Sequence, residues 1–253
     1  MKKVITAVLG IVFLTGLSVH ATSDVPENNI RLLMEKQGIG LGSQPGARGE
    51  AIWTYNATDN CVCIRTIPDV NGDDINDVVC GHDIFQDGDN FFCFSGAATG
   101  TGSVIWSQET VGGASGGYFW GDDCIRRGFD ADDNGYANVL AGLAGGGRFA
   151  ASYDGLDGSL IWQFDTYNEP DSGWIYSIRE LGDVTGDGIP EVIFGCGSDN
   201  DHAYCIDGSS TGTAPTVLWS LSLPDACLAV DPIEDVNGDG LPDALISSGD
   251  TYG

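Results

Sequence analysis

The sequence predicts an all-β protein, a β-propeller of four-stranded blades, and three observations carry that expectation. An acidic loop recurs four times, beginning at Asp69, Asp130, Asp183 and Asp235. A tryptophan recurs in step with it, at Trp53, Trp106, Trp162 and Trp219, with intervals of 53, 56 and 57 residues. Thirty-eight glycines against only 10 Lys and Arg describe a turn-rich strand protein rather than a helical one. A period of roughly 50 residues holding four short strand-like runs is the sequence signature of a propeller blade.

Taken in chain order, the first element is a leader. Lys2 and Lys3, an apolar stretch from Val4 to Val19 and the small-residue end Val19-His20-Ala21 read as a signal peptide over residues 1–21. The protein is therefore expected to be secreted, extracellular or at the cell surface, with the periplasm as the bacterial equivalent. Residues 22–48 form a separate segment. Asp24 before Pro26, then Ile30, Leu33 and Met34, with Gly38 beyond, suit one short helix followed by a linker.

Residues 49–253 carry the repeats. GEAIW ends at Trp53 as the last strand of an incomplete blade, and three complete blades follow from about residue 61 to residue 219. The fourth acidic loop then yields only first and second strands. The expectation is a fragment of a larger ring, with partial first and last blades. Each tryptophan ends a fourth strand, where packing between blades is its expected role.

The acidic loops read DVNGDDIND, DADDNGYAN, DVTGDGIPE and DVNGDGLPD. Oxygen-bearing side chains stand at positions 1, 3, 5 and 9 of every copy, and the position-7 carbonyl adds a fifth donor. The expected ligands are Asp69, Asn71, Asp73, Ile75 and Asp77 in loop one, and Asp130, Asp132, Asn134, Tyr136 and Asn138 in loop two. Loop three offers Asp183, Thr185, Asp187, Ile189 and Glu191, and loop four Asp235, Asn237, Asp239, Leu241 and Asp243. Hard oxygen donors crowded in one loop suit calcium, which takes six to eight of them in a flexible shell. Up to four structural Ca2+ ions are expected. Position 12 is Cys80, Ala141, Phe194 or Ile246, so these are not EF-hands, which need a bidentate Glu there. The apolar runs VVCG, VLAG, VIFG and ALIS that follow are second strands.

These loops resemble the FG-GAP/VCBS repeat family, the integrin-alpha-like calcium-binding propellers. The resemblance covers residues 49–253 and rests on the calcium loops, since the literal FG and GAP dipeptides are missing. The turn-then-Trp ending is similar to blades of quinoprotein-type propellers. In the first family the calcium loop joins first and second strands, calcium is structural, and the domains serve adhesion or the binding of carbohydrate or protein.

Thirty-seven acidic residues set against ten basic ones, for a net charge of −27, exclude nucleic acid as a partner. No later stretch is apolar for long enough to insert in a membrane. Eight cysteines in an exported chain read as four disulfides, with Cys80–Cys93 and Cys196–Cys205 expected across hairpins. Cys61, Cys63, Cys124 and Cys227 are left with open connectivity.

No catalytic constellation emerges. Gly113 to Gly117 matches G-x-S-x-G but lies in a glycine-rich connection. Two other sets are candidate ligand-binding residues. Arg65, Arg126 and Arg179 stand four residues before their loops, on the innermost strands, with Asp231 in the fourth repeat. They either neutralise a neighbouring blade's carboxylates or form a cationic ring for an acidic ligand. Tyr118, Trp120, Trp174 and Tyr176 lie in connections on the face away from the calcium loops, as a ligand surface or as inter-blade packing. A binding or adhesion module for glycan or protein is expected, not an enzyme. The alternative is a polysaccharide lyase or quinone-dependent dehydrogenase on the same scaffold.

Overall fold

The computed structural model describes residues 11–15, 51–57, 60–83, 88–110, 119–121, 123–145, 147–166, 173–198 and 200–249. The helix expected in residues 22–48, Tyr118, the Gly113–Gly117 segment and residues 251–253 lie outside these. The chain divides into two compact units, one of Met1–Asn60 with Ala98–Ser103 and one of Cys61–Ala97 with Val104–Gly253.

The first unit holds a three-stranded sheet in the order β1 (Ile11–Thr15), β2 (Ala51–Asn56) and β6 (Gly100–Thr101). Strand β1 lies inside the segment read as a leader and pairs parallel with β2. Its apolar run suits a strand as well as an export signal. Trp53 on β2 pairs with Gly100, and the Gly102 N–H donates to the Thr54 carbonyl at 2.8 Å. An added Cβ at Gly102 would press on the Trp53 ring at 2.8 Å, so this position must be glycine.

The second unit contains three four-stranded antiparallel sheets and one hairpin. The first blade runs β3 (Cys61–Ile67), β4 (Asp77–His82), β5 (Phe91–Phe94) and β7 (Val104–Gln108). The second runs β8 (Ile125–Arg127), β9 (Val139–Gly142), β10 (Phe149–Tyr153) and β11 (Leu160–Asp165). The third runs β12 (Gly173–Gly182), β13 (Glu191–Ser198), β14 (His202–Ile206) and β15 (Val217–Ser222). The hairpin of β16 (Val230–Ile233) and β17 (Asp243–Ile246) begins a fourth. The fold is all-β, a set of propeller blades, with three complete and the last partial.

Core residues lie between successive blades. Val79, Phe91 and Trp106 meet Ile125, Val139, Ala141 and Phe149. On the other face of the second blade, Leu140, Ala150 and Trp162 meet Ile175, Ile178, Val192 and Phe194. Second strands are buried on both faces, which explains why they read as unbroken apolar runs rather than alternating ones. Each of the first two ends in a glycine pressed by the next blade. A Cβ at Gly81 would overlap the Phe119 ring, and one at Gly142 would overlap Ile175.

The tryptophans hold blade to blade, as the sequence implied. Trp106 Nε1 donates to the Gly155 carbonyl at 2.8 Å, in the turn between the third and fourth strands of the next blade. Trp162 bridges Gly212 in the corresponding turn of the third blade, with backbone hydrogen bonds of 2.8 Å in both directions. A parallel strand edge thus accepts the neighbouring turn, and glycine allows the close approach.

The register corrects the cysteine expectations. Cys93 stands opposite Val79, not Cys80, and Cys205 stands opposite Ile193, three residues before Cys196. Since side chains alternate faces along a strand, both expected pairs point away from one another. All eight cysteines are free thiols here. Cys63 instead meets Cys124 across the first and second blades, with the sulfur atoms 3.4 Å apart.

Candidate functional site

Each acidic loop links a first strand to a second, and all four share one backbone conformation. Positions 4 and 6 have positive φ in every copy: Gly72 and Asp74, Asp133 and Gly135, Gly186 and Gly188, Gly238 and Gly240. Two left-handed residues in alternation curl the chain so that successive amides turn inward, onto the loop's own side chains.

The position-1 carboxylate organises that curl. Asp235 accepts the N–H of Gly238 at 2.6 Å and of Gly240 at 2.8 Å. Asp183 accepts Gly186 and Gly188, and Asp69 accepts Gly72 and Asp74, at the same places. Position 3 accepts from position 5, as in Asn237 with the Asp239 N–H at 2.9 Å, and position 5 accepts from position 7, as in Asp239 with the Leu241 N–H at 2.9 Å. These N–H groups, Gly238 first, hold the Asp235 carboxyl below the usual carboxylate value. At Asp69 burial pushes upward, but the amides of Asp74, Gly72 and Asn71 outweigh it and the net shift is also downward.

Position 9 does different work. Asp77 is buried at the start of β4 and accepts from the Val70 N–H at 2.8 Å and the Gly96 N–H at 3.0 Å. Glu191 likewise takes the amides of Val184 and Thr185, and Asp243 takes Val236. Burial raises the Asp77 carboxyl. In the second loop this place is Asn138, whose side-chain oxygen and nitrogen are buried with no hydrogen-bond partner. A buried amide oxygen left without a donor is rare and marks a place for a further electrophile or a water.

The arginines converge as well. Arg65, Arg126 and Arg179 stand opposite Val79, Leu140 and Ile193, one register position in three blades. Each donates Nη1 to the carbonyl of the residue before it. Their other nitrogens reach a single carboxylate, Asp123: Arg179 at 2.7 Å, Arg65 at 3.7 Å, and Arg126 in direct contact. Ser177 Oγ donates to Asp123 at 2.8 Å, and Arg179 Nε also pairs with Asp231 at 3.2 Å. The neutralising role weighed for these arginines is thus the one present, and Asp123 is the residue that the sequence did not single out. Its only sequence signal is its position three residues before Arg126.

Trp120 and Trp174, from two successive inter-blade connections, meet edge to face with centroids 6.1 Å apart, and Tyr176 stands 6.4 Å from Trp174. Trp120 is 46% exposed. Trp174 pairs with Gly197 at the end of β12 remote from the Asp183 loop, so this cluster lies away from that loop. Phe119, beside Trp120, is buried core instead.

Residues 183–246 match a family model described as FG-GAP-like repeat. This stretch is an FG-GAP-like repeat. It spans the third acidic loop, two more strands of the third blade, and the hairpin with the fourth loop, so the FG-GAP-like unit includes two of the four loops. No curated protein matches the chain. Among solved structures, the chain is similar to BBS1N in complex with ARL6DN, soaked with lead, at 15% identity and a TM-score of 0.46, covering 76% of this chain and 50% of that one. The same complex soaked with mercury gives 15% identity and a TM-score of 0.44, covering 76% and 47%. The chain spans about half the length of these solved chains.

Proposed function

We propose that this chain is an exported β-propeller binding module, its blades fixed by calcium and its ligand, a glycan or a protein surface, docked on Trp120, Trp174 and Tyr176. The observation that carries the ligand reading is the Trp120–Trp174 pair. Two large rings from different connections share one surface, and Trp120 keeps nearly half its area open to solvent. Aromatic faces with a phenol beside them suit the apolar face of a sugar ring, or an anchor on a partner protein.

Calcium is supported by the donor set and by Asn138. Carboxylate and amide oxygens alternate around a curled loop in all four copies, which is the chemistry of a hard cation site. The orphaned Asn138 amide supplies an oxygen for such an ion in the second loop. Bound there, calcium contributes charge neutralisation. The residues of each loop do the rest: positions 1, 3 and 5 hold the turn, and position 9 ties it to the second strand.

One experiment tests both parts. Calcium added to chelator-treated protein should raise Tm, and Asp235→Ala with Asp239→Ala should lower the calcium count by one in native mass spectrometry. Glycan-array and protein-capture signals of the calcium-loaded protein should fall at least ~10-fold in Trp120→Ala and Trp174→Ala, as expected for hot-spot aromatics, with Tm nearly unchanged. Calcium-independent melting would remove the metal reading. Unaltered ligand signals in both tryptophan variants would remove the surface.

A further inference from the structure

At the end of the first blade remote from its acidic loop, three metal-ligating side chains meet. The sulfur atoms of Cys61 and Cys80 and a ring nitrogen of His82 all lie within 4.8 Å of one another, the only such set of His, Cys, Asp and Glu donors among the described residues. Cys80 Sγ and His82 Nε2 are 3.4 Å apart. Cys80 and His82 are buried, and Cys61 is partly exposed at the strand edge.

The backbone builds this cluster. Cys80 and His82 are two apart on β4 and share a face. Cys61 and Cys63 would also share a face, but the register slips between them: Cys63 stands opposite Gly81 and Cys61 opposite His82. That bulge sends Cys63 toward Cys124 in the inter-blade core and Cys61 to the side of His82. The cluster is also specific to this blade. The places of Cys80 and His82, counted from the shared arginine register, hold Ala141 and Leu143 in the second blade and Phe194 and Cys196 in the third. A buried imidazole has replaced residues of the apolar core, which is unfavourable unless it is engaged.

We propose that Cys61, Cys80 and His82 form a zinc site, with two thiolates and one neutral imidazole as ligands and the fourth position open to solvent at Cys61. The spacing suits the ion. Tetrahedral bonds of about 2.3 Å to sulfur and about 2.1 Å to nitrogen place neighbouring donors about 3.6–3.8 Å apart, close to the observed sulfur–nitrogen separation. Two thiolates balance the charge of Zn2+, so the buried site is neutral, and binding releases the two thiol protons to solvent. Cys80 helps to hold the Cys61 thiol below its ordinary value, so this sulfur ionises more readily than the other buried thiols. The acidic loops offer only oxygen and are poor competitors for a thiophilic metal. His82 also links the site to the connection that carries Trp120, since its carbonyl accepts the Phe119 N–H at 3.3 Å. The zinc site stands independently of the calcium and ligand readings above.

The test uses the whole protein with excess Ca2+ on the oxygen loops, reduced by a phosphine without oxygen, and titrated with Co2+. One equivalent should produce thiolate-to-cobalt charge-transfer absorption, which oxygen ligands cannot give, and Zn2+ should bleach it. Protein purified without chelator should carry one zinc by elemental analysis. Cys61→Ser, at the exposed edge, should keep the fold and weaken Co2+ binding at least ~10-fold, since even a lost supporting partner costs that much. His82→Ala should weaken it by a similar factor. Absent charge-transfer bands, or a Cys61–Cys80 disulfide found by peptide mapping of the unreduced protein, would overturn the proposal.

Discussion

At the level of single residues, the acidic loops combine backbone strain with electrostatic relief. Asp74 sits at φ 64, where the other three loops have glycine at position 6. An L-residue in that region is strained by roughly 1–2 kcal/mol, less for Asp than for most. Asp74→Gly should therefore raise the urea midpoint of the calcium-free protein, by up to about 1 kcal/mol, and a lowered midpoint would mean that the Asp74 side chain contributes something the backbone does not. The position-1 carboxylates set a pH dependence. Asp235 is held below its ordinary value by the Gly238 and Gly240 amides, so its contribution is present above about pH 4 and lost as pH falls through the folded value. Asp77 behaves oppositely, because burial raises its value and makes ionisation in the folded chain unfavourable. NMR titration of the calcium-free protein should find Asp235 titrating below Asp77, and the reverse order would contradict these hydrogen-bond assignments. The loop ligands were legible in sequence because each interaction spans only two to five residues. The buried, unpartnered Asn138 was not, since its isolation depends on what surrounds β9.

Among the elements, each turn from third to fourth strand presses against the acidic loop of its own blade. An added Cβ at Gly96, Gly155 or Gly208 would overlap the carbonyl oxygen of Asn76, Ala137 or Pro190 respectively, which is position 8 of the loop. None of these three glycines has positive φ, so the requirement is space and not backbone conformation. Gly208→Ala should destabilise by about 1–3 kcal/mol, as overpacking against rigid backbone does, and should weaken calcium affinity by displacing Pro190. Equal melting curves for variant and parent would show that the loop yields freely. Strand order was readable from the repeat, because loop, apolar run and Trp mark three of the four strands. Cysteine pairing was not. Two cysteines can flank one hairpin and still point to opposite faces, and only the register decides that.

For the whole second unit, stability depends on contacts passed from blade to blade. Trp106 donates to Gly155 across 49 residues, and Asp123 gathers arginines from three blades. Trp106→Phe keeps most of the apolar contact but leaves a buried carbonyl unpaired, at a loss of about 1–3 kcal/mol. Chemical denaturation followed by fluorescence of the remaining tryptophans should show that loss. If the first and second blades depend on this bond for cooperation, the single transition should also broaden or split. A sharp transition at the parent midpoint would show that the hydrogen bond contributes nothing net.

From the sequence alone came the repeat, the four-stranded blade, the inter-blade tryptophans and the acidic loops with their ligand order. All of these rest on periodicity or on interactions confined to one turn, where the identity of a residue and its spacing suffice. The tertiary structure decided which faces meet. It placed three arginines on one aspartate, set Cys63 beside Cys124 while moving Cys61 to His82, and joined Trp120 to Trp174. Each of those juxtapositions depends on a bulge or on the packing of successive blades. They bring together residues tens of positions apart, and no local pattern records the angle at which one blade lies on the next.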